Sequence, residues 1–350
     1  MAHKRCDLQR VRRALKHLCH ALAVGLALAA LVLESDAGAQ DAAGKAKEER
    51  KIVLYHTTTV PDTQKIIEGF KKKYPFLDVE TYRATGEKLL QKIVTEVKGG
   101  RHPADVYVLS ALQTWMLKDM GLLAPYASAE REKVAPALKD KQGYWTGVYW
   151  NLEVLGYNTK LVLPGQVPAK WEDLLQPRWK GQIGLEEEDV QWYASILQLM
   201  GEEKGKDFMR RLAKQQPQIR AGHTLLVQLL TAGEFALGPT TRAQSAEQMK
   251  DKGAPIDWTA IEPLAPNPPV SVSLPKSAAR PSAAKLFVDF ILSREGQTIV
   301  YELKRSPTRT DLSQPVPRVA KVKLMEVDHD RLAKNYNRYA QEFREIFSIR

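Results

Sequence analysis

Three short segments rich in hydroxyls could do chemistry in this chain: Thr57-Thr58-Thr59, Thr85-Gly86 and Ser110. Each stands ahead of a stretch with helical spacing. Its hydroxyl and the free N–H groups of the first helical turn could together hold an anion. The same residues could instead cap their helices; a capping Thr contributes stability, a binding Thr contributes affinity. Arg83 and Arg242 are candidate counter-charges, or ordinary surface arginines. The acidic run Glu186-Glu187-Glu188-Asp189, with Glu187 as its expected ligand-facing member, could meet a cationic group. It could equally complement the dipole of the helix that follows. Asn151, beside Trp150, could hydrogen-bond a ligand, while Trp150 could stack on one or pack between elements. His56, His102 and His223 lack metal-ligand spacing; only His56 is expected near the site, and His223 reads as a helix cap. No Gly-x-Ser-x-Gly, Gly-x-x-x-x-Gly-Lys or His-Glu-x-x-His motif occurs, so no catalytic residue, metal ligand or cofactor is expected.

These residues need a frame that brings them to one place. Lys51 to Tyr55 reads as a buried strand, Ile66, Ile67, Phe70 and Tyr74 as a helix face ending at Pro75, and Leu77 to Tyr82 as a second strand. Leu89, Leu90, Ile93, Val94 and Val97 mark a second helix, and Ala104 to Leu109 a third strand. Alternating strands and helices predict an α/β fold with mainly parallel sheets, whose ligands gather at the carboxyl ends of strands. All three hydroxyl segments fall at such ends. The aromatic, alternating stretch from Tyr144 to Tyr157 reads as a crossover into a second α/β lobe. A proline-rich return at Pro263, Pro266, Pro268 and Pro269 leads to the strand Val270 to Leu274. The expected division is lobe 1 over 51–147 plus 265–320, lobe 2 over 148–264, and a C-terminal helical segment over 321–350 that serves packing.

The first 39 residues read as an export signal: Lys4, Arg5, Arg10, Arg12, Arg13 and Lys16 precede an apolar run from Ala21 to Leu33, followed by Ala37-Gly38-Ala39. That run is shorter than the ~20 residues of a membrane span. Cleavage after Ala39 is expected, with a polar, mobile segment over 40–50; an uncleaved anchor is the alternative. Both cysteines, Cys6 and Cys19, lie inside the signal, and Cys19 precedes the apolar run, which does not suit lipid attachment. The formal charge of +11 is spread among acids and forms no aromatic-interleaved basic stripe, so a nucleic-acid partner is not expected.

Several segments, in order, resemble the family-1 extracellular solute-binding proteins of ABC transporters, and within them the ferric-iron-binding-protein-like branch. They are Lys51 to Thr59, Phe70 to Pro75, Ala84-Thr-Gly86, Pro103 to Val106, Trp145 to Asn158, Trp171 to Leu174 with Trp179-Lys-Gly181, Gly222 to Leu225, Ala232-Gly-Glu234, and Ala283 to Gln297. The resemblance implies a type II periplasmic-binding-protein fold: two α/β lobes, two crossovers and a ligand in the cleft. It also implies a monomer in the periplasm that hands a small ligand to an ABC permease. Ferric binders of this kind carry an adjacent tyrosine pair where this chain has Gly238-Pro-Thr-Thr-Arg242. Threonine hydroxyls are poor Fe³⁺ ligands, so that pair's coordination is not expected, and Thr241 is retained as a neutral contact. The ligand classes left are a small organic or phosphorus-containing anion, or a metal carried with an anion. A receptor feeding a membrane sensor and a secreted enzyme with a dispersed site are the alternatives. N-terminal sequencing of the exported protein should begin at Gln40; a start at Met1 would refute the cleaved signal.

Overall fold

The computed structural model describes residues 44–327 and 329–349, so the expected export signal lies outside the described residues. Residues 44–49 are helical and not the mobile stretch expected over 40–50: Ala46 is fully buried, and Glu49 accepts from the Ala283 N–H at 2.6 Å. The chain then runs through β1 (Lys51–His56), α1 (Val60–Lys73), β2 (Asp78–Arg83), α2 (Gly86–Lys98), β3 (Val106–Ser110) and α3 (Ala111–Asp119). β1 lies between β2 and β3 and is parallel to both. The helix faces read from spacing are the buried ones: Ile66, Ile67 and Phe70 on α1, Leu89 and Ile93 on α2. Phe70 meets Phe287 and Phe290 edge-on, with ring centroids 5.1 and 5.6 Å apart. Asp105 is fully buried because it joins three segments. It accepts from the Val53 N–H at 2.8 Å, from the Arg280 N–H at 3.0 Å and from the Arg280 guanidinium at 2.9 Å.

The middle of the chain runs through β4 (Leu123–Ala124), β5 (Thr146–Trp150), β6 (Glu153–Asn158), β7 (Gly184–Glu186), α4 (Val190–Met200), α5 (Glu202–Ala213) and β8 (Gln218–Arg220). Then come α6 (His223–Ala232), β9 (Leu237–Arg242), α7 (Ala243–Asp251), β10 (Ile256–Thr259) and β11 (Val270–Pro275). The chain closes with α8 (Pro281–Leu292), α9 (Arg294–Glu302), β12 (Ser306–Pro307) and α10 (His329–Phe347). The first sheet has the order β12-β5-β11-β3-β1-β2, with β4 also on β11. Its parallel strip is β3-β1-β2, and β11, β5 and β12 extend it in antiparallel pairs. The second lobe holds a three-stranded antiparallel sheet, β10-β6-β9, and a two-stranded parallel one, β7-β8, next to which Ile183 bridges Leu237 in parallel. Antiparallel pairs enter where the chain returns from one sheet to the other, since a returning strand comes back in the opposite sense. The architecture is the two-lobed α/β one expected.

Three apolar clusters hold this together. Two lie on opposite faces of the first sheet, because Leu54, Val106 and Val108 point one way and Tyr55, Tyr107 and Leu109 the other. The third fills the second lobe, from Val154 and Leu155 through Tyr193 and Phe235 to Phe343. The chain leaves the first sheet after Trp150 and joins the second at Glu153. On its way back, the Asn267 N–H donates to the Asn151 carbonyl at 3.2 Å, and Leu152 bridges Pro266. The two crossovers therefore run side by side.

One boundary differs from expectation. Lobe 1 was read as continuing to residue 320, whereas Val316 and Val319 lie in the second lobe's core. The Thr310 N–H still bonds to Lys133 in the first lobe, so the chain crosses a third time just beyond it. That crossing delivers α10 to the second lobe, where Leu332, Tyr336, Tyr339 and Phe343 are buried. Tyr193 packs edge-on to Tyr339 and Phe343 at 6.1 and 6.0 Å, and its hydroxyl donates to Glu342 at 2.9 Å. Among the described residues no helix is long and apolar enough to cross a membrane. Phe343 is fully buried, so Phe343→Ala should destabilise the protein by about 3–5 kcal/mol in urea unfolding. A loss under about 1 kcal/mol would show that α10 is only loosely applied to the lobe.

Candidate ligand-binding cleft

A cavity of about 130 Å³ lies between the lobes, and its two walls differ in chemistry. The first-lobe wall carries Thr57, Thr58, Thr59, Arg83, Thr85, Gly86, Ser110 and Gln113. These residues converge because β1, β2 and β3 are adjacent parallel strands whose carboxyl ends lie together, each continuing into α1, α2 or α3. Three helix N-termini thus face one small space, the arrangement that favours an anion.

The three segments do not cap their helices equally. Thr85 occupies the cap position of α2 but makes no side-chain cap bond; its hydroxyl crosses the cleft to Glu188 Oε1 at 3.0 Å. Thr59 likewise makes no cap bond to α1. Ser110 does cap α3, accepting from the Leu112 N–H at a long 3.4 Å. The Thr58 hydroxyl bonds to the Tyr149 hydroxyl at 2.8 Å, and Arg83 Nε reaches the Thr58 carbonyl at 3.4 Å. At Gly86 a side chain would meet the Gln113 amide at 2.9 Å, so only glycine lets that amide close the wall. His56 was expected at the cleft and is instead behind it, with Nδ1 3.1 Å from both the Thr58 carbonyl and the Thr63 hydroxyl. Burial lowers its pKa to about 4 and keeps it neutral.

The second-lobe wall carries Glu153, Glu186, Glu188, Asp189, His223 and Arg242. His223 Nε2 is 3.3 Å from Asp189 Oδ1 and 4.0 Å from Glu153 Oε1. Glu153 also accepts from the Asn267 amide at 2.7 Å. Burial raises Asp189, with the charges of Glu153 and Glu186 adding to it, and burial raises Glu153. Burial lowers His223, with Arg242 reinforcing the effect. Both directions favour neutral groups, so the Asp189–His223 contact is a hydrogen bond more than an ion pair. The two carboxylates and the imidazole also lie close enough together to share a cation, although Arg242 beside them opposes one. Glu186 is raised to about 7 by burial, against the pull of N–H donors from Gly222 at 2.8 Å and Glu188 at 2.7 Å.

Between the walls Asn151 is buried and lines the cavity, accepting from the Gln244 amide at 3.0 Å. Arg305, between α9 and β12, lies over the Tyr149 ring at 4.4 Å. Tyr336 of α10 closes one side.

The solute-binding family model, described as "Bacterial extracellular solute-binding protein", matches residues 103–335. The chain belongs to that family. This solute-binding protein has the type II periplasmic binding fold: AfuA from Actinobacillus pleuropneumoniae, solved with exogenous fructose-6-phosphate bound, superposes with a TM-score of 0.77 at 24% identity. That match covers 86% of this chain and 99% of AfuA. Iron-bound HitA from Pseudomonas aeruginosa superposes with a TM-score of 0.74 at 22% identity, over 84% of this chain and 99% of HitA. Among curated proteins, the iron uptake protein A1 of Synechocystis is 24% identical over 270 residues, which is 72% of this chain and 74% of that protein. The likeness to the ferric-binding branch is thus present in the fold, and the solute-binding protein is a binding protein and not an enzyme.

Two expected contacts of the solute-binding protein are corrected. Glu187 does not line the cavity, whereas Glu186, Glu188 and Asp189 do; Glu187 lies in the turn just beyond β7. Thr241 is fully buried, against Gly156 and Gly238, and the next residue, Arg242, faces the cleft. With Thr240 and Thr241 both buried, no adjacent tyrosine pair lines the cavity; Tyr149 and Tyr336 come from separate elements. His223 and Glu153 were missed. A strand-parity reading from Arg242 through its cross-strand partner Glu153 would have found the latter.

The raised pKa of Glu186 has a measurable sign. An acid whose folded pKa lies above its unfolded value near 4.5 stabilises the fold fully below 4.5 and loses that contribution as pH rises through about 7. Relative to the natural protein, Glu186→Gln should therefore gain stability progressively from pH 4.5 to 7 in urea melts. A constant difference across that window would show that Glu186 is not held protonated.

Proposed function

We propose that this protein is the periplasmic binding component of an ABC importer and that its ligand is a small phosphorylated organic molecule bearing hydroxyls. The observation that carries this reading is the two-sided cavity. Hydroxyls, three helix N-termini and Arg83 suit a phosphate on the first lobe. Carboxylates, His223 and Arg242 suit hydroxyl groups on the second, since each can accept from or donate to an alcohol. The ligand is compact, because the cavity is smaller than the ~300–1,000 Å³ of sites for drug-sized molecules. AfuA with fructose-6-phosphate supports the same class. Iron uptake, suggested by HitA and the Synechocystis protein, is opposed by the buried threonines in place of a tyrosine pair and by the charge of Arg242. The lobes are proposed as 51–147 plus 265–310 and 148–264 plus 316–349, closing on the ligand.

Titration calorimetry with fructose 6-phosphate, inorganic phosphate and ferric citrate tests the reading. The sugar phosphate should bind most tightly. Thr85→Ala should weaken it roughly 10- to 150-fold, the effect of losing a hydrogen bond to a charged group. No cap bond is lost with it, so the melting temperature of the unliganded protein should fall only by the share of the single cross-cleft bond to Glu188. Ser110→Ala should cost about 1 kcal/mol of stability as well. Binding of ferric citrate alone, or full affinity in Thr85→Ala, would overturn the proposal.

A further inference from the structure

The C-terminal helix α10 was expected only to pack, and its position gives it a second role. One side is fixed to the second lobe: Arg338 reaches Glu202 at 2.7 Å, Lys206 reaches Glu342 at 3.0 Å, and Tyr339 and Phe343 are buried against Tyr193. Its other side faces the first lobe. Arg344 Nη2 meets Glu87 Oε2 at 2.6 Å, and Glu87 follows directly on the Thr85-Gly86 segment of the cleft wall. Leu112, at the start of α3, sits in the same apolar cluster as α10. Tyr336, two turns before Arg344, lines the cavity itself. A groove of about 610 Å³ runs along this side of α10, lined by Tyr336, Gln341 and Arg344 from the helix and by Glu87 from the first lobe. The helix also touches α3 of the first lobe.

We infer that α10 is a clasp for the closed cleft: anchored in the second lobe, it holds the first lobe through Arg344–Glu87 and supplies Tyr336 as one wall of the ligand site. Opening the cleft separates Arg344 from Glu87 and Thr85 from Glu188 together. Both contacts sit on the same three-residue stretch of the first lobe, Thr85-Gly86-Glu87, so hinge opening and loss of the cavity wall are one event. The Arg344–Glu87 pair is about half exposed, with 44% and 29% of its side chains accessible. Its effect on the open–closed ratio is accordingly modest, about two- to fivefold.

The test needs no ligand, so it stands apart from the reading of what is bound. The chain from Gln40 onward contains no cysteine, and Lys72→Cys on the first lobe with Lys204→Cys on the second gives two exposed sites for spin labels. Pulsed electron–electron distance measurements are then made on this pair, on Arg344→Glu, on Glu87→Arg and on the double reversal. Each single reversal should shift the distance distribution toward the open form by about two- to fivefold in population, and the double reversal should restore it. Identical distributions in all four proteins would overturn the clasp. So would single reversals that open the cleft without rescue by the double, because the pair itself would then not be the link.

Discussion

A buried ion pair fixes the frame on which the cleft depends. Arg305 is 3% exposed and places Nε 2.8 Å and Nη2 2.5 Å from Asp62 Oδ2. A guanidinium so deep must be paired, because an unpaired buried charge costs several kcal/mol. That requirement holds the first turn of α1 in place, and with it the Thr57 to Thr59 segment that leads into the helix. The same guanidinium stacks on Tyr149, whose hydroxyl orients Thr58, and reaches Asn151 Oδ1 at 3.4 Å. Anion wall, inner sheet and first crossover are therefore positioned by one side chain. The arrangement also explains why Arg305 lines the cavity without being free to neutralise a ligand: its charge is already committed to Asp62.

Much of this was legible in sequence because it depends on period. Helix faces repeat at 3.6 residues and strand ends are marked by glycine, proline and hydroxyls, so the Thr57, Thr58, Thr85, Gly86 and Ser110 positions could be assigned to one rim and Asn151 to the crossover, and the structure brings all six to one cavity. What failed was parity. Thr241 lies one residue from the cavity-lining Arg242, and a single-residue shift on a strand moves a side chain from one face to the other. Glu187 lies in the turn beyond β7, where no alternation applies. His223 failed for another reason. Its role is set by Asp189 and Glu153, which lie 34 and 70 positions away in the chain, and no local spacing encodes such a meeting. The third crossing and the reach of α10 across the cleft are likewise long-range packing outcomes.

The second wall shows how a crowded acidic surface can limit its self-repulsion. Glu153, Glu186 and Asp189 are buried, and each is pushed upward in pKa by that burial. Protonated acids donate as well as accept, so such a wall presents a mixed hydrogen-bonding face in place of a block of negative charge. Arg242 and the neutral His223 complete it. A face of this kind discriminates by the pattern of donors and acceptors on the ligand, with net charge left to the opposite wall.

The division of labour between walls has a consequence for what closure reports. Two half-sites on separate bodies act as a coincidence detector: a ligand shifts the open–closed equilibrium only by the difference in its affinity for the two states. On the proposed reading, a bare anion would satisfy the threonine wall equally well in either state, and a neutral polyol would do the same for the acidic wall. Neither has a reason to draw the bodies together. A molecule that spans both gains its second set of hydrogen bonds only on closure, so the closed shape encodes the presence of both functional groups at the right separation. Any membrane partner that responds to shape alone would then read a logical conjunction, without touching the ligand.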